Sequence, residues 1–223
     1  MSSGAPEPPE SALHAAGFVL AGGHSTRMGR DKALLPFAGR PLIAHALALL
    51  AEAGLSAAIV GTRPDLRSFA PVIDDAAPGL GPLAGICAAL ASTSARSVLF
   101  LSVDQPLLPA PLLVYLLHHA CVTASAVTLA SVNGCAQTFP AAVDRSVLPF
   151  LEQELAARRL GCLTAFEAAA AAAHRPFRAV PVEYLAQSGQ VTHPCCLPAA
   201  RWLLNLNTPA DLALAEDQMR RIA

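Results

Sequence analysis

Of the 15 lysine and arginine residues in this 223-residue chain, only Lys32 is a lysine. It closes a glycine-rich stretch, AGGHSTRMGRDK at residues 21–32, which follows a short apolar run at residues 17–20. Glycine lets a ligand approach the main chain closely, and successive backbone N–H groups in such a loop form an anion-binding concavity. Lysine presents a compact point charge with three donors, which is not interchangeable with the planar fork of arginine at a crowded anion. The stretch therefore predicts a phosphate site.

The basic side chains around this loop support the same prediction, since Arg27, Arg30 and Arg40 lie close to Lys32 in sequence. The spacing differs from two common phosphate fingerprints. A P-loop requires G-x-x-x-x-G-K-[ST], and the dinucleotide fold requires G-x-G-x-x-G opening a helix. Here five residues separate the second and third glycines of the loop, and an arginine follows the third.

Two acidic groups accompany the loop further along the chain. Asp74 and Asp75 precede a second glycine-rich segment at residues 78–85, and Asp104 directly follows the strand-like run SVLFLSV. A carboxylate at the end of a strand is a natural hard-oxygen ligand for Mg²⁺. Asp104 could instead cap a turn, and the Asp75 region could be a plain helix start. Because Mg²⁺ in proteins is commonly held by one or two carboxylates together with phosphate oxygens, and few other carboxylates lie at that edge, we predict Asp104 as the metal ligand.

Apolar runs and helix signals alternate along the chain, which predicts an α/β protein: a three-layer α/β/α sandwich with a mostly parallel, Rossmann-like sheet. Ligands bind outside the carboxyl ends of the strands in such sheets, so Lys32, Asp75 and Asp104 are expected to converge. The expected strands are 17–20, 57–61, 71–73, 97–103, 124–130, 136–143, 177–182 and 201–206. The expected helices are 41–53, 82–91, 112–120, 144–158, 163–173 and one that begins at Thr208-Pro209.

Composition indicates one compact enzyme domain over residues 16–223, preceded by a flexible tail over residues 1–15. The net charge is −1 and only 14% of residues are charged, so no global field favours nucleic acid or an anionic membrane. The first ten residues lack the apolar core of a secretory signal, and no apolar run predicts a membrane span. Six cysteines without C-x-x-C spacing are typical of a reducing compartment, so we expect a cytoplasmic protein.

The segment from Leu20 to Lys32 resembles the signature loop of nucleotidyltransferases, and within them that of the molybdenum cofactor guanylyltransferases. Three further segments follow in the family's order, so that the resemblance covers residues 17–216: Gly81-Pro82-Leu83 with Asp75 before it, the D-x-P segment at Asp104, and the N-x-N-T-P-x-D-L segment at residues 205–212. One departure is that many members place asparagine after the second strand, where this chain has Val60-Gly61-Thr62.

The resemblance implies transfer of GMP from GTP to the terminal phosphate of molybdopterin or the molybdenum cofactor, with release of pyrophosphate. It implies catalytic roles for Lys32, Arg27 and Asp104, with Mg²⁺ on Asp104 as the cofactor. Asn205 and Asn207, predicted to share one face of a strand, would reach a phosphate or a metal-bound water. Asp74 is a rival to Asp75 as the nucleoside contact, and Gln137 receives no definite role. The implied nucleotide contacts are Leu20, Ala21, Gly22, Gly23, Lys32, Asp75, Gly81, Pro82, Leu83 and Asp104.

Three alternatives stay open at this point. A cytidylyltransferase acting on the same pterin is the nearest, although relatives of that kind usually have A-A-G where this chain has Ala21-Gly22-Gly23. A sugar-phosphate nucleotidyltransferase shares the loop but is usually longer. A nucleotide-binding adaptor in cofactor insertion would retain the fold without catalysis. The expected partners are GTP, molybdopterin with or without molybdenum, and a recipient molybdoenzyme or insertion chaperone.

Overall fold

The computed structural model describes residues 15–22, 31–75, 77 and 79–220. Ala15 already belongs to the first strand, and residues 1–14 of the predicted tail lie outside the described residues. The strands are β1 Ala15–Leu20, β2 Pro36–Phe37, β3 Arg40–Pro41, β4 Ser56–Val60, β5 Val72–Ile73, β6 Ser97–Ser102, β7 Val127–Val132, β8 Cys135–Asp144 and β9 Phe177–Pro181. The helices are α1 Leu42–Glu52, α2 Pro82–Ser92, α3 Ala110–Val122, α4 Leu148–Ala156, α5 Cys162–Ala172, α6 Val182–Gln187, α7 Ala199–Trp202 and α8 Pro209–Arg220.

In the described residues the main sheet has the order β5-β4-β1-β6-β8-β7-β9. β8 runs antiparallel to both of its neighbours, and every other pair in the sheet is parallel. The chain leaves β1 for β4 on one side and later returns to β6 on the other. The order therefore reverses at β1, and a ligand crevice is expected at such a switch point. The predicted mostly parallel sheet is confirmed.

Side chains that alternate along the strands fill two separate cores. In β1, Phe18 packs with residues of α2, α4 and α5, whereas Val19 packs with residues of α1, α3 and α6. In β6, Phe100 and Leu101 divide between the same two cores. Both faces of these strands are thus buried, which explains why they appear in the sequence as continuous apolar runs. Helices cover both faces of the sheet, and the predicted three-layer sandwich is confirmed.

The predicted strand at residues 201–206 is wrong. Helix α7 ends at Trp202, and residues 204–207 form an irregular segment. Trp202 is buried and its indole N–H donates to the carbonyl oxygen of Leu197 at 2.8 Å, while Leu206 is fully buried in the core. These apolar side chains are buried without joining the sheet. Asn205 and Asn207 therefore do not share the face of a strand.

Several smaller features were not predicted, among them helix α6 at Val182–Gln187 and helix α7 at Ala199–Trp202. A two-stranded hairpin of β2 and β3 follows the glycine-rich loop, and short 3₁₀ helices occur at Lys32–Leu34, Pro64–Leu66 and Arg145–Val147. Within the described part of the chain, no helix combines the length and apolar character that crossing a bilayer requires.

Candidate active site

Three polar side chains meet beyond the carboxyl ends of β1 and β6. Lys32 begins its 3₁₀ helix, Asp104 lies two residues after β6, and Asn207 lies two residues before α8. The Lys32 ammonium Nζ donates to Oδ2 of Asp104 at 2.6 Å and to Oδ1 of Asn207 at 2.7 Å. Lysine carries three donors, so these two contacts leave one for a ligand oxygen. The structure thus brings together Lys32 and Asp104, which the sequence placed at one edge of the sheet, and adds Asn207 from the segment before α8.

Asp104 is fixed by its own hydrogen bonds. Its Oδ1 accepts the hydroxyl proton of Ser102 at 2.5 Å, and its main-chain oxygen accepts the N–H of Leu206 at 2.9 Å. The Asp104 side chain is 13% exposed, so one edge of the carboxylate still faces solvent. The carboxylate is oriented by the Ser102 hydroxyl and by the Lys32 ammonium.

Asn207 is positioned by the start of α8. Oδ2 of Asp211 accepts the N–H of Asn207 at 3.0 Å and that of Thr208 at 2.8 Å, and Oγ1 of Thr208 accepts the Asp211 N–H at 3.2 Å. This reciprocal arrangement satisfies N–H groups at the helix start. The hydrogen bonds from Thr208 lower the pKa of Asp211, and the positive charge of Lys32 lowers it further. The T-P-x-D segment therefore orients the residue that contacts Lys32.

Asp75 lies two residues after β5, where two glycines give it room. A Cβ added to Gly85 would lie 2.8 Å from Oδ1 of Asp75, and one added to Gly22 would lie 3.8 Å from its Oδ2. Oδ1 is buried and has no hydrogen-bond partner among the described residues. Burial raises the pKa of Asp75, and the charge of Asp74 raises it further. By contrast, Asp74 is 59% exposed and its carboxylate lies 3.9 Å from Arg67. The geometry therefore favours Asp75 over Asp74 as the carboxylate beside the glycine loop.

Gly61 directly follows β4, at the place where many members of the family have asparagine, and its surroundings explain the difference. Its φ is +133°, and a Cβ at this position would lie 3.0 Å from the Cα and N atoms of Gly22. Such contacts are tighter than ordinary van der Waals packing, and the backbone conformation is one that side-chain-bearing residues rarely adopt. In this chain the end of β4 therefore approaches the end of β1 main chain to main chain.

The start of α2 forms the other wall beside Asp75. Gly81 precedes the helix with a φ of +74°, and Pro82 occupies the first turn, where its missing N–H costs nothing. Both residues are exposed. Leu83 is fully buried in the core, so only its main chain remains for the predicted nucleotide contact.

Of the remaining residues predicted around the site, some lie outside the described part of the chain and others make different contacts. Gly23 and Arg27 lie outside the described residues, as does Arg30. Arg40 lies on the β2–β3 hairpin, and its Nη2 is 3.5 Å from Nδ1 of His45. The N–H of Ala21 donates to the Val60 carbonyl oxygen at 3.0 Å, so this amide is not available to a nucleotide.

Sequence reasoning missed the residues that orient the site. Ser102, Asp211 and Arg63 received no role, although the first is the polar residue that ends an apolar strand and the second belongs to the T-P-x-D helix start. Those two signals were available. Arg63 follows β4 without a comparable pattern, and its partners became evident only in the fold.

Comparison with known proteins agrees with this geometry. Residues 17–221 match the family described as MobA-like NTP transferase domain. A protein of Rhodobacter capsulatus named molybdenum cofactor guanylyltransferase is 33% identical over 222 residues, which covers 95% of this chain and 100% of that protein. A protein of the same name from Xanthomonas euvesicatoria is 47% identical over 111 residues, so the alignment spans 48% of this chain and 57% of the relative.

One solved structure shows the same fold. The molybdopterin-guanine dinucleotide biosynthesis protein A of Archaeoglobus fulgidus superposes with a TM-score of 0.73 at 22% identity, covering 92% of this chain and 99% of that one. At this identity the likeness concerns the fold.

Proposed function

We propose that this chain, which belongs to the MobA-like NTP transferase domain family, transfers GMP from GTP to the terminal phosphate of molybdopterin or the molybdenum cofactor and releases pyrophosphate. The observation that carries the proposal is the contact between Lys32 and Asp104, which places one ammonium and one carboxylate beyond the carboxyl ends of β1 and β6. The Rhodobacter capsulatus relative, which aligns with 95% of this chain, bears the name of this activity and supports it.

The chemistry asks the protein mainly for positioning and charge neutralisation. An oxygen of the acceptor phosphate forms a bond to the α-phosphorus of GTP, and the bond from that phosphorus to the oxygen bridging to the β-phosphate breaks. The electron pair leaves with pyrophosphate. Because the acceptor phosphate is already ionised at neutral pH, no side chain has to remove a proton from it.

Lys32 is the residue proposed to neutralise negative charge on the phosphates. Its ammonium would exchange its contact with Asp104 for phosphate oxygens and would neutralise the charge that develops on the leaving pyrophosphate. Asn207 would keep the ammonium aligned through the 2.7 Å contact that it makes in the described structure. The predicted contribution of Arg27, steadying the leaving group or the pterin phosphate, belongs to the same proposal.

Asp104 is the residue that would hold Mg²⁺. Within the described residues no three histidine, cysteine or acidic side chains cluster as a metal site. Mg²⁺ commonly uses one or two carboxylates together with substrate phosphates and water, so a single oriented carboxylate fits a metal that arrives with the triphosphate. When bound, the metal would supply charge neutralisation at the phosphate oxygens. The protein's part is to keep Asp104 aligned through Ser102.

The nucleoside is proposed to lie between the two glycine segments. The exposed main chain at Gly22 and Gly81 permits close approach, and the unpartnered Oδ1 of Asp75 is an acceptor for a hydroxyl or amine donor of the nucleoside. Asn205 and Asn207 are proposed on the acceptor side, with Asn205 approaching from the irregular segment before α8.

A nucleotide survey tests the proposal against its alternatives. The protein is incubated with Mg²⁺ and each of GTP, CTP, ATP and UTP, with molybdopterin, with a sugar phosphate or with no acceptor, and pyrophosphate release is measured. We expect release only with GTP and the pterin. Release with CTP and the pterin would assign the protein to cytidylyl transfer, and release with a sugar phosphate would assign it to that class. GTP binding without release under any condition would favour an adaptor.

Other parts of the proposal concern the setting of the reaction. The six cysteines show no C-x-x-C spacing, which fits a reducing compartment and supports the cytoplasm. The product would then pass to a molybdoenzyme or to an insertion chaperone.

A further inference from the structure

Arg63 lies beside the site without touching Lys32 or Asp104. It follows β4 by three residues, and its N–H donates to the Gly61 carbonyl oxygen at 2.8 Å. Only 13% of its side chain is exposed, although it carries a full charge. A charged side chain that is this buried is expected to have dedicated partners.

The guanidinium of Arg63 contacts three groups. Nη1 donates to the main-chain oxygen of Ala21 at 3.2 Å and to Oδ1 of Asp31 at 3.2 Å, and Nη2 donates to Oδ2 of Asp31. Nε and Nη2 also donate to the two oxygens of Asp65 at 2.9 and 2.7 Å. Arginine has five N–H donors in a fixed fork, and these contacts use all five. The hydrogen bond from Arg63 lowers the pKa of Asp65 and keeps that partner ionised.

Two of these partners flank the glycine-rich loop. Ala21 directly follows β1, and Asp31 directly precedes Lys32. The Asp31 carboxylate also accepts the N–H of Ala33 at 3.0 Å, which caps the 3₁₀ helix on which Lys32 lies. One guanidinium therefore joins the end of the first strand to the residue that fixes the direction of the Lys32 side chain.

We infer that Arg63 is a positioning residue for the triphosphate: by joining Ala21 to Asp31 it sets the separation between the main chain at Gly22 and the ammonium of Lys32. Arg63 does not contact the substrate in this account, which rests on the proposed function. Lysine could not replace it, because three donors on one atom cannot engage two carboxylates and a carbonyl in the plane that arginine provides.

The test compares Arg63→Met and Arg63→Lys with a matched control, Arg159→Met. Arg159 also forms a two-point ion pair, with Glu154 at 2.6 Å for each contact, but it is 61% exposed and follows α4. A misplacement of about 1 Å can reduce turnover about 10²-fold. We therefore expect kcat/KM for GTP to fall about 10²-fold in Arg63→Met and at least about 10-fold in Arg63→Lys, with parental values in the control.

A second measurement needs no activity. Hydrogen exchange of nucleotide-free protein follows the amides of Leu34 and Leu35, which donate to the carbonyl oxygens of Asp31 and Lys32. Loss of the Arg63 contacts should accelerate exchange there and leave the α4 amides at parental rates. If Arg63→Met does not fold, Asp31→Asn removes the same link from the other side and should give the same pattern.

The outcomes separate the inference from the proposed function. Faster exchange together with lower kcat/KM supports the positioning role. Faster exchange in Arg63→Met with a kcat/KM that stays at the parental value, as in Arg159→Met, overturns it. If the parent transfers no GMP, that result alone removes the proposed function, and binding of fluorescent GTP becomes the readout for the positioning role. Weaker binding by Arg63→Met than by the parent then supports the positioning role, and equal binding overturns it.

Discussion

Lys32 and Asp104 form an ion pair at 2.6 Å although 72 residues separate them in the chain. The pair exists because β1 and β6 are parallel neighbours, so that the segments following both strands emerge at the same edge of the sheet. Asn207 adds a second contact to Lys32, from a third segment of the chain. The candidate active site is therefore a junction of three segments that are distant in sequence.

Asp104→Asn removes the charge that the proposal assigns to Mg²⁺ binding while keeping the shape of the side chain. We expect kcat to fall by at least about 10²-fold, since charge stabilisation at a transferring phosphoryl group is typically of this size. Raising the Mg²⁺ concentration should not restore it. The measurement is pyrophosphate release across a Mg²⁺ titration. Retention of the parental Mg²⁺ dependence would remove Asp104 from the metal site, and failure to fold would favour a capping role.

Lys32→Arg tests whether the single lysine is chosen for its shape. The charge is retained, but the planar guanidinium cannot occupy the position between Asp104 and Asn207 in the same way. We expect kcat to fall about 10-fold or more while the melting temperature stays within about 2 °C, because a side chain at the edge of the core contributes little to stability. Parental turnover would show that any cation suffices.

Asp75→Asn separates stability from binding. Burial raises the pKa of Asp75, so the folded protein binds this proton more tightly than the unfolded chain does. The ionised carboxylate therefore lowers stability, and that penalty develops as the pH rises through the folded-state pKa. We expect the variant to melt at a higher temperature than the parent at neutral pH and the difference to shrink as the pH falls and Asp75 becomes protonated, measured by thermal unfolding across the pH range.

The same variant should bind GTP less well, because the negative acceptor beside Gly22 is lost. A weakening of about 10-fold is expected for one charged hydrogen bond. Asp74→Asn is the matched control, since Asp74 is exposed and pairs with Arg67. Calorimetric titration with GTP measures both variants. Equal affinities for the two would remove Asp75 from the nucleoside site.

Asp144 gives a pH prediction that is independent of the active site. Burial opposes ionisation of Asp144, but hydrogen bonds from Arg175 and Ser146 outweigh it and lower the pKa to about 2. A lowered folded-state pKa stabilises the protein above the unfolded value near 3.8, and this contribution disappears as the pH falls toward 2. The contribution is about 2 kcal/mol at neutral pH, from about 1.4 kcal/mol for each unit.

Urea unfolding of the parent and of Asp144→Asn between pH 7 and pH 2 tests this prediction. The parent should be more stable by about 2 kcal/mol at pH 7, and the two curves should converge toward pH 2. Asp74→Asn is the control, because Asp74 is 59% exposed and its carboxylate lies 3.9 Å from Arg67. A difference that stays constant across the pH range would contradict the assigned pKa.

The sequence predicts the framework of this site because strand ends carry it. Strands that are buried on both faces appear in the sequence as continuous apolar runs, so they can be recognised without knowing which strands pair with them. Lys32, Asp75 and Asp104 come after such strands, and ligands bind outside the carboxyl ends of the strands in parallel sheets. The segment at residues 201–206 misleads for the same reason. Its apolar side chains are buried in the core although the segment does not pair with a strand. No local sequence pattern distinguishes this kind of burial from that of a strand in the sheet.

The contacts that the Arg63 guanidinium makes with distant segments could not be predicted from the sequence. Arg63 engages Ala21 and Asp31 only because Gly61 brings the end of β4 against the end of β1. A charged residue after a strand has many possible partners, and the tertiary fold decides among them. The β2–β3 hairpin was missed because two-residue strands leave no periodicity to detect.

The most direct test of the central claim follows the α-phosphate itself. The protein is incubated with Mg²⁺, molybdopterin and GTP labelled at the α-phosphorus, in parallel with Lys32→Ala. We expect the label to appear in a pterin dinucleotide together with unlabelled pyrophosphate, and Lys32→Ala to be slower by about 10²–10³-fold. Label released as free GMP, or turnover of Lys32→Ala within a few-fold of the parent, would contradict the account.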